Sequence, residues 1–246
     1  MDEAASNVAL SAVALEKARQ AADRYSLWQC LLEDIQPRSM LEIGVWRGDF
    51  SAHLLSFSRS IERYFMIDPW RPLPDWNKPL NVSERDFEKA YEEAMARTEF
   101  AASKRIVLRG TTTETIDRIP DGSLDMVYVD GDHTLRGISI DLMRAFPKLR
   151  AGGWLCGDDF VPDIWQHGAR FEPTLVFPFV SYFAEAVGAR LYALPFDQFL
   201  LQKPDAGGGE GCFIDLVGRY GNRSLLHHLS IRKMLMKRFF RRLLRL

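Results

Sequence analysis

The chain has 246 residues, 47% of them hydrophobic, a net charge of -1 and three cysteines. That length fills a substantial core as one large α/β domain with additions, and the near-neutral sum excludes a global field drawing the protein toward nucleic acid. Cys30, Cys156 and Cys212 form neither a CxxC pair nor a disulfide framework, which favours a reducing, cytosolic setting; the charge-broken N-terminus is unlike a signal peptide, and no stretch approaches the roughly 18 apolar residues of a membrane span.

Residues 3–35 repeat apolar positions at helical spacing (Leu15, Ala18, Ala22, Tyr25, Leu32) before Pro37, so residues 1–36 read as an N-terminal helical arm. SMLEIG (39–44) is short, apolar and closed by glycine, as a buried strand is. DFSAHLLSFSR (49–59) follows as a helix and RYFMID (63–68) as a second strand. The proline-dense stretch 69–83, with Trp70 and Trp76, is a loop. A helix over 84–102, a strand at 105–110, a helical TTTETIDRI, a fourth strand LDMVYVDGD, a helix ISIDLMRAFPKL and a fifth strand GGWLCGDD come next. VFPFVSYFAEAVG reads as a helix, while ARLYAL and QFLLQK, joined at Pro195–Asp197, read as an antiparallel hairpin. Strands alternating with helices imply right-handed crossovers and a doubly wound, mostly parallel seven-stranded sheet over residues 37–204. Ligands bind such sheets at the carboxyl ends of the strands.

The unusual polar residues follow strands. LEIGVWRGDF places Glu42 near the end of strand one, Gly44 in the turn and Gly48 where the next helix begins, an E-x-G-x-x-x-G spacing rather than the G-x-G-x-x-G of dinucleotide folds. Asp68 ends strand two, where it either binds ribose hydroxyls or begins a turn before Pro69. Asp130 ends strand four in MVYVDGDHT, and Asp158 and Asp159 end strand five 28 residues later. Neighbouring strands lie about 4.8 Å apart, so two such carboxylates repel unless protonated or bridged by a cation. Three oxygen donors suit a hard divalent ion, Mg2+ first. The competing reading is that Asp158 and Asp159 cap the next segment.

LEIGVWRGDFSAHLL, YFMIDPW, VLRGTTTETI, MVYVDGDHT and LRAGGWLCGDDF, in this order and spacing, resemble the class I S-adenosylmethionine-dependent methyltransferases, and among them the macrocin-type sugar and macrolide O-methyltransferases. The resemblance covers roughly residues 37–203 and implies a Rossmann-like methyltransferase fold. It assigns the methionine part of the cofactor to Glu42, Gly44 and Gly48, the ribose to Asp68, and the adenine border to Gly110 and Thr111, with Asp130 also touching the cofactor. It implies a metal at Asp130 and Asp158, with Asp159 where catechol-type relatives carry an amide. A metal-coordinated hydroxyl would lose its proton to His133, three residues beyond Asp130. His53 reads as packing or surface; Trp165, His167 and Arg170 are candidates for acceptor contact. Trp70 and Trp76 either stack on a ligand or fix their loop. Cys156 reads as a small core residue.

The expected activity is therefore metal-assisted methylation of a hydroxyl on a sugar, glycan or glycosylated metabolite. A nicotinamide oxidoreductase shares the glycine turn and the acid after strand two. A noncatalytic binding subunit of a membrane or glycan-assembly complex is the third alternative. Residues 205–246 read as a DAGGGEG linker and a basic amphipathic helix, with Arg232, Lys233, Lys237, Arg238, Arg241, Arg242 and Arg245 on one face and Leu235, Phe239, Leu243 and Leu246 on another. That helix suits the inner face of an anionic membrane, an oligomer contact or its own domain; a homo-oligomer stays open, and the rest of the chain offers nucleic acid no matching basic groove.

Overall fold

The computed structural model describes residues 9–168, 170–205, 208 and 211–220. Its strands are β1 (Ser39–Ile43), β2 (Arg63–Asp68), β3 (Arg105–Arg109), β4 (Leu124–Val129), β5 (Leu149–Gly157), β6 (Arg190–Leu194), β7 (Gln198–Gln202) and β8 (Cys212–Asp215). They form one sheet in the order β3-β2-β1-β4-β5-β7-β6-β8. β1 to β5 run parallel, β7 is antiparallel to both β5 and β6, and β8 is parallel to β6. The helices are α1 (Ala12–Arg19), α2 (Arg24–Ile35), α3 (Asp49–Phe57), α4 (Glu84–Arg97), α5 (Thr112–Thr115), α6 (Leu135–Ala145) and α7 (Val176–Ala186).

The doubly wound, mostly parallel sheet with its hairpin is the architecture expected from the alternating pattern. Each strand feeds a core on both faces: Leu41 and Ile43 of β1 pack with α6 and α7 through Ile138, Leu142 and Val180. Met40 packs on the other side with α2, α3 and α4 through Trp28, Leu54 and Ala94. Burial on both faces is why these strands read as apolar runs rather than as alternation.

One detail differs from the sequence reading. The sheet has an eighth strand, β8, in the stretch assigned to the linker; none of its four residues is fully buried, so no apolar run announced it. The N-terminal arm is helical as expected, and Asp23 starts its second helix afresh: the Asp23 carboxylate accepts from Ser26 N at 2.7 Å, and Ser26 Oγ accepts from Asp23 N at 3.1 Å. The expected basic helix lies outside the described residues. Among the described residues no helix is long and apolar enough to cross a membrane.

The register sets the site. Val129 of β4 pairs with Gly157 of β5, so the next residue on each strand, Asp130 and Asp158, leaves the sheet side by side. The chain order reverses between β1 and β4, which opens a crevice at their carboxyl ends.

Candidate active site

That crevice is a cavity of about 390 Å³ lined by residues following β1, β2, β3 and β4, among them Gly44, Asp68, Trp76, Thr111, Asp130 and Asp141. Its volume suits a nucleoside-sized ligand. Gly44 has φ +87°, and a Cβ there would lie 2.2 Å from Asp130 O. Only glycine lets the β1 turn pass this close to the end of β4.

Asp68 lines the cavity, but most of its carboxylate is committed to the turn. Oδ2 accepts from the backbone N–H groups of Val45 at 3.0 Å and Trp46 at 2.9 Å, and Oδ1 from Trp70 N at 2.7 Å. Asp68 thus shapes the cavity wall as well as facing it. Thr111 also lines the cavity, whereas Gly110 sits behind it, donating its N–H to Asp68 O at 2.9 Å.

Glu42 and Gly48 stand outside the lining. The Glu42 side chain is buried on the α3 face, where it accepts from Ser51 Oγ and, at 2.7 Å, from Tyr64 OH. Burial raises its pKa to about 8 against the lowering effect of those two hydrogen bonds. Gly48 opens α3 with φ +75°, and a Cβ there would lie 2.9 Å from Ala94 Cα, so it serves the approach of α3 to α4. Trp70 is fully buried, donates Nε1–H to Trp46 O at 2.7 Å and meets Tyr91 edge-on; it fixes its loop. Trp76 lines the cavity, and its Nε1 is buried without a partner.

Beside the cavity lies a charged cluster. Arg24, the first residue of α2, places Nη1 2.7 Å from Asp158 Oδ2 and 3.4 Å from Asp130 Oδ2. Asp158 Oδ1 accepts from Asp159 N at 2.7 Å and Gln198 Nε2 at 2.5 Å. Asp159, held at φ +60°, turns its carboxylate to His133, with Oδ2 2.7 Å from Nδ1. His133 Nε2 is enclosed, has no hydrogen-bond partner and lies 3.6 Å from Asp130 Oδ1. Of these residues only Asp130 also lines the cavity, so it is the seam between the two parts.

Burial, and then the adjacent Asp158, hold the Asp130 carboxyl above its ordinary range. Burial pushes Asp159 up, yet the hydrogen bond and charge of His133 bring it below the usual value. Burial pulls His133 down, but Asp159 and then Asp130 raise it above an ordinary histidine.

The arrangement of Asp130, Asp158 and Asp159 does not support the expected Mg2+ site, on two counts. The position bridging Asp130 and Asp158 is taken by the Arg24 guanidinium, and Asp159 faces His133 instead of the other two acids. The described residues include no His, Cys, Asp and Glu group arranged to hold a metal. The residues present therefore do not fit the ion.

Arg24 and Gln198 were not foreseen. A single arginine on an amphipathic helix reads as a solvated face. Gln198 carried a signal, being a polar residue opening an apolar strand; it is fully buried and its Oε1 accepts from Trp28 Nε1 and Tyr128 OH, each at 2.8 Å. His53 contacts Tyr25 O at 3.2 Å and Cys156 is buried in the core, both as expected. The loop after β5 is tied to the proline-rich loop: Asn77 Nδ2 donates to Arg170 O at 3.0 Å, and Lys78 Nζ to Glu172 O at 3.0 Å.

Residues 41–160 match the family model of a methyltransferase domain. The fold is shared with a putative caffeoyl-CoA O-methyltransferase from Staphylococcus aureus, 16% identical with a TM-score of 0.57, covering 77% of this chain and 91% of that one. It is shared also with the O-methyltransferase TomG from Streptomyces achromogenes, involved in tomaymycin synthesis and solved in complex with SAM, 19% identical with a TM-score of 0.52 over 82% and 94% of the two chains. An uncharacterised protein of Sinorhizobium fredii is 25% identical over 169 residues; the match covers 63% of this chain and 17% of that relative's length.

Proposed function

We propose that this chain, whose residues 41–160 match the model of a methyltransferase domain, uses S-adenosylmethionine to methylate a hydroxyl on a sugar, glycan or glycosylated metabolite. The observation that carries the reading is His133: its Nε2 is enclosed and unpartnered while Nδ1 is pinned by Asp159. A hydrogen bond from Nδ1–H to Asp159 leaves the lone pair on Nε2, which is the tautomer a general base needs. The acceptor class follows only from the resemblance of the strand-end motifs to the macrocin-type sugar and macrolide O-methyltransferases.

When bound, S-adenosylmethionine supplies an electrophilic methyl group on a sulfonium. Gly44, Asp68, Thr111 and Asp130, which line the cavity, would hold it, and the carboxylates of the neighbouring cluster would favour its positive charge. His133 Nε2 would take the proton of the acceptor hydroxyl as the methyl group is transferred to its oxygen, and the leaving electron pair would stay with the donor. Asp159 holds the ring and would stabilise the imidazolium, while Trp76 and the proline-rich loop form part of the cavity wall.

Calorimetry with S-adenosylhomocysteine and with NAD, followed by an acceptor panel, tests the reading. Binding of the first and not the second, with transfer to a hydroxylated sugar-type acceptor, is expected. Binding of NAD alone would overturn it.

A further inference from the structure

We propose that Arg24 is the resident cation of this site, a positioning residue standing where a divalent ion would sit between Asp130 and Asp158. Its chemistry rests on the O-methyltransferase reading above, but its electrostatics do not.

Two acids that leave adjacent strands side by side need a positive partner. A single atom, Arg24 Nη1, reaches both, at 2.7 and 3.4 Å. The arginine is rigidly delivered. The Asp23–Ser26 capping box fixes the start of α2, and Trp28, one turn on, is anchored by Gln198 and packs edge-on against Tyr128. The guanidinium lies 5.1 Å from the centroid of the Phe50 ring, a further favourable contact for a planar cation.

The donor oxygens are arranged for this partner and not for an ion. A hard divalent cation takes about six oxygen ligands. Here each Asp158 oxygen already accepts from a donor, and Asp159 is turned away to His133. An incoming ion would have to displace the guanidinium and then sit beside a like charge. Arginine is not interchangeable with a metal in what it does: it has no open coordination position and does not exchange its proton at working pH. It cannot acidify a bound hydroxyl as a Lewis acid does. What it can do is fix Asp130 at the seam between cavity and cluster, leaving proton removal to His133.

The test is Mn2+ uptake, followed through the resonance signal of the free ion, for the wild-type chain, Arg24→Ala, Arg24→Lys and the double variant Asp130→Asn with Asp158→Asn. Wild type and Arg24→Lys are expected to take up no more Mn2+ than the double variant. Arg24→Ala, with two carboxylates uncompensated, is expected to bind the ion about tenfold or more tightly than wild type, a difference of about 1.4 kcal/mol. Saturable uptake by wild type that the double variant loses would overturn the proposal, as would an Arg24→Ala chain that binds no better than wild type. Melting curves report whether each variant folds, and if Arg24→Ala does not, the comparison of wild type with the double variant decides. Failure to bind S-adenosylhomocysteine would sink the methyl-transfer reading and leave the Mn2+ comparison intact.

Discussion

Asp159 Oδ2 lies 2.7 Å from His133 Nδ1, and this contact leaves Nε2 as the ring's unengaged nitrogen. A histidine held at one nitrogen and unpartnered at the other, 3.6 Å from a cavity-lining carboxylate, is prepared to receive a proton on that side.

Replacing His133 by Gln should therefore lower kcat by about 10² to 10⁴-fold, the usual contribution of a general base. The affinity for S-adenosylhomocysteine, measured by calorimetry, should stay the same. Loss of binding together with turnover would mean that His133 shapes the cavity instead.

Asp159→Asn should cost about 10 to 100-fold in rate, as loss of an orienting partner does. It should also move the acid limb of the pH–rate profile. Asp159 favours the protonated ring, so its removal lowers the His133 pKa and the rate begins to rise at lower pH. An unmoved limb would show that another group titrates there.

Asp68→Ala frees the N–H groups of Val45, Trp46 and Trp70 at once. Leaving a buried donor unpaired costs about 1 to 3 kcal/mol, so melting temperature and S-adenosylhomocysteine affinity should fall together. A variant with weakened affinity and unchanged melting would mean that Asp68 acts on the ligand alone.

Gly44→Ala should be among the most damaging single changes. A positive φ and a Cβ 2.2 Å from Asp130 O force the β1 turn and the β4 end apart, at a cost of about 3 kcal/mol or more. Chemical denaturation would show it directly.

Glu42 gives the fold a pH dependence of definite sign. Its folded pKa, raised by burial to about 8, exceeds the ordinary value of 4.5. Between those two values the unfolded chain has lost a proton that the folded chain keeps, so this group's contribution to stability falls as pH rises through that window and is flat outside it. Glu42→Gln should flatten that part of the melting-temperature profile. A profile unaltered by the substitution would place the slope elsewhere.

The strand-end acids were legible because each followed a short apolar run ended by a turn signal, and parallel topology brings such ends to one edge. Strand order then predicted that Asp130 and Asp158 meet. Their common partner was not legible, since Arg24 belongs to a helix more than a hundred residues away in sequence, and nothing in its surroundings distinguishes it from Arg19 on α1. Gly48 and Glu42 fall outside the cavity lining for a related reason: motif position locates a residue along a strand, while the face its side chain occupies depends on which helix packs there. The eighth strand escaped because an edge strand needs no buried face to form.

The placement of Arg24 has a further consequence for how the molecule is parsed. A boundary drawn before β1 would keep the whole sheet, the ligand cavity and His133, yet would leave Asp130 and Asp158 facing each other without their counter-charge. The chemical unit is thus larger than the recognisable domain. Fraying of the first turn of α2 would register at the carboxylates as a change in charge, so helix docking and site electrostatics form a single thermodynamic event.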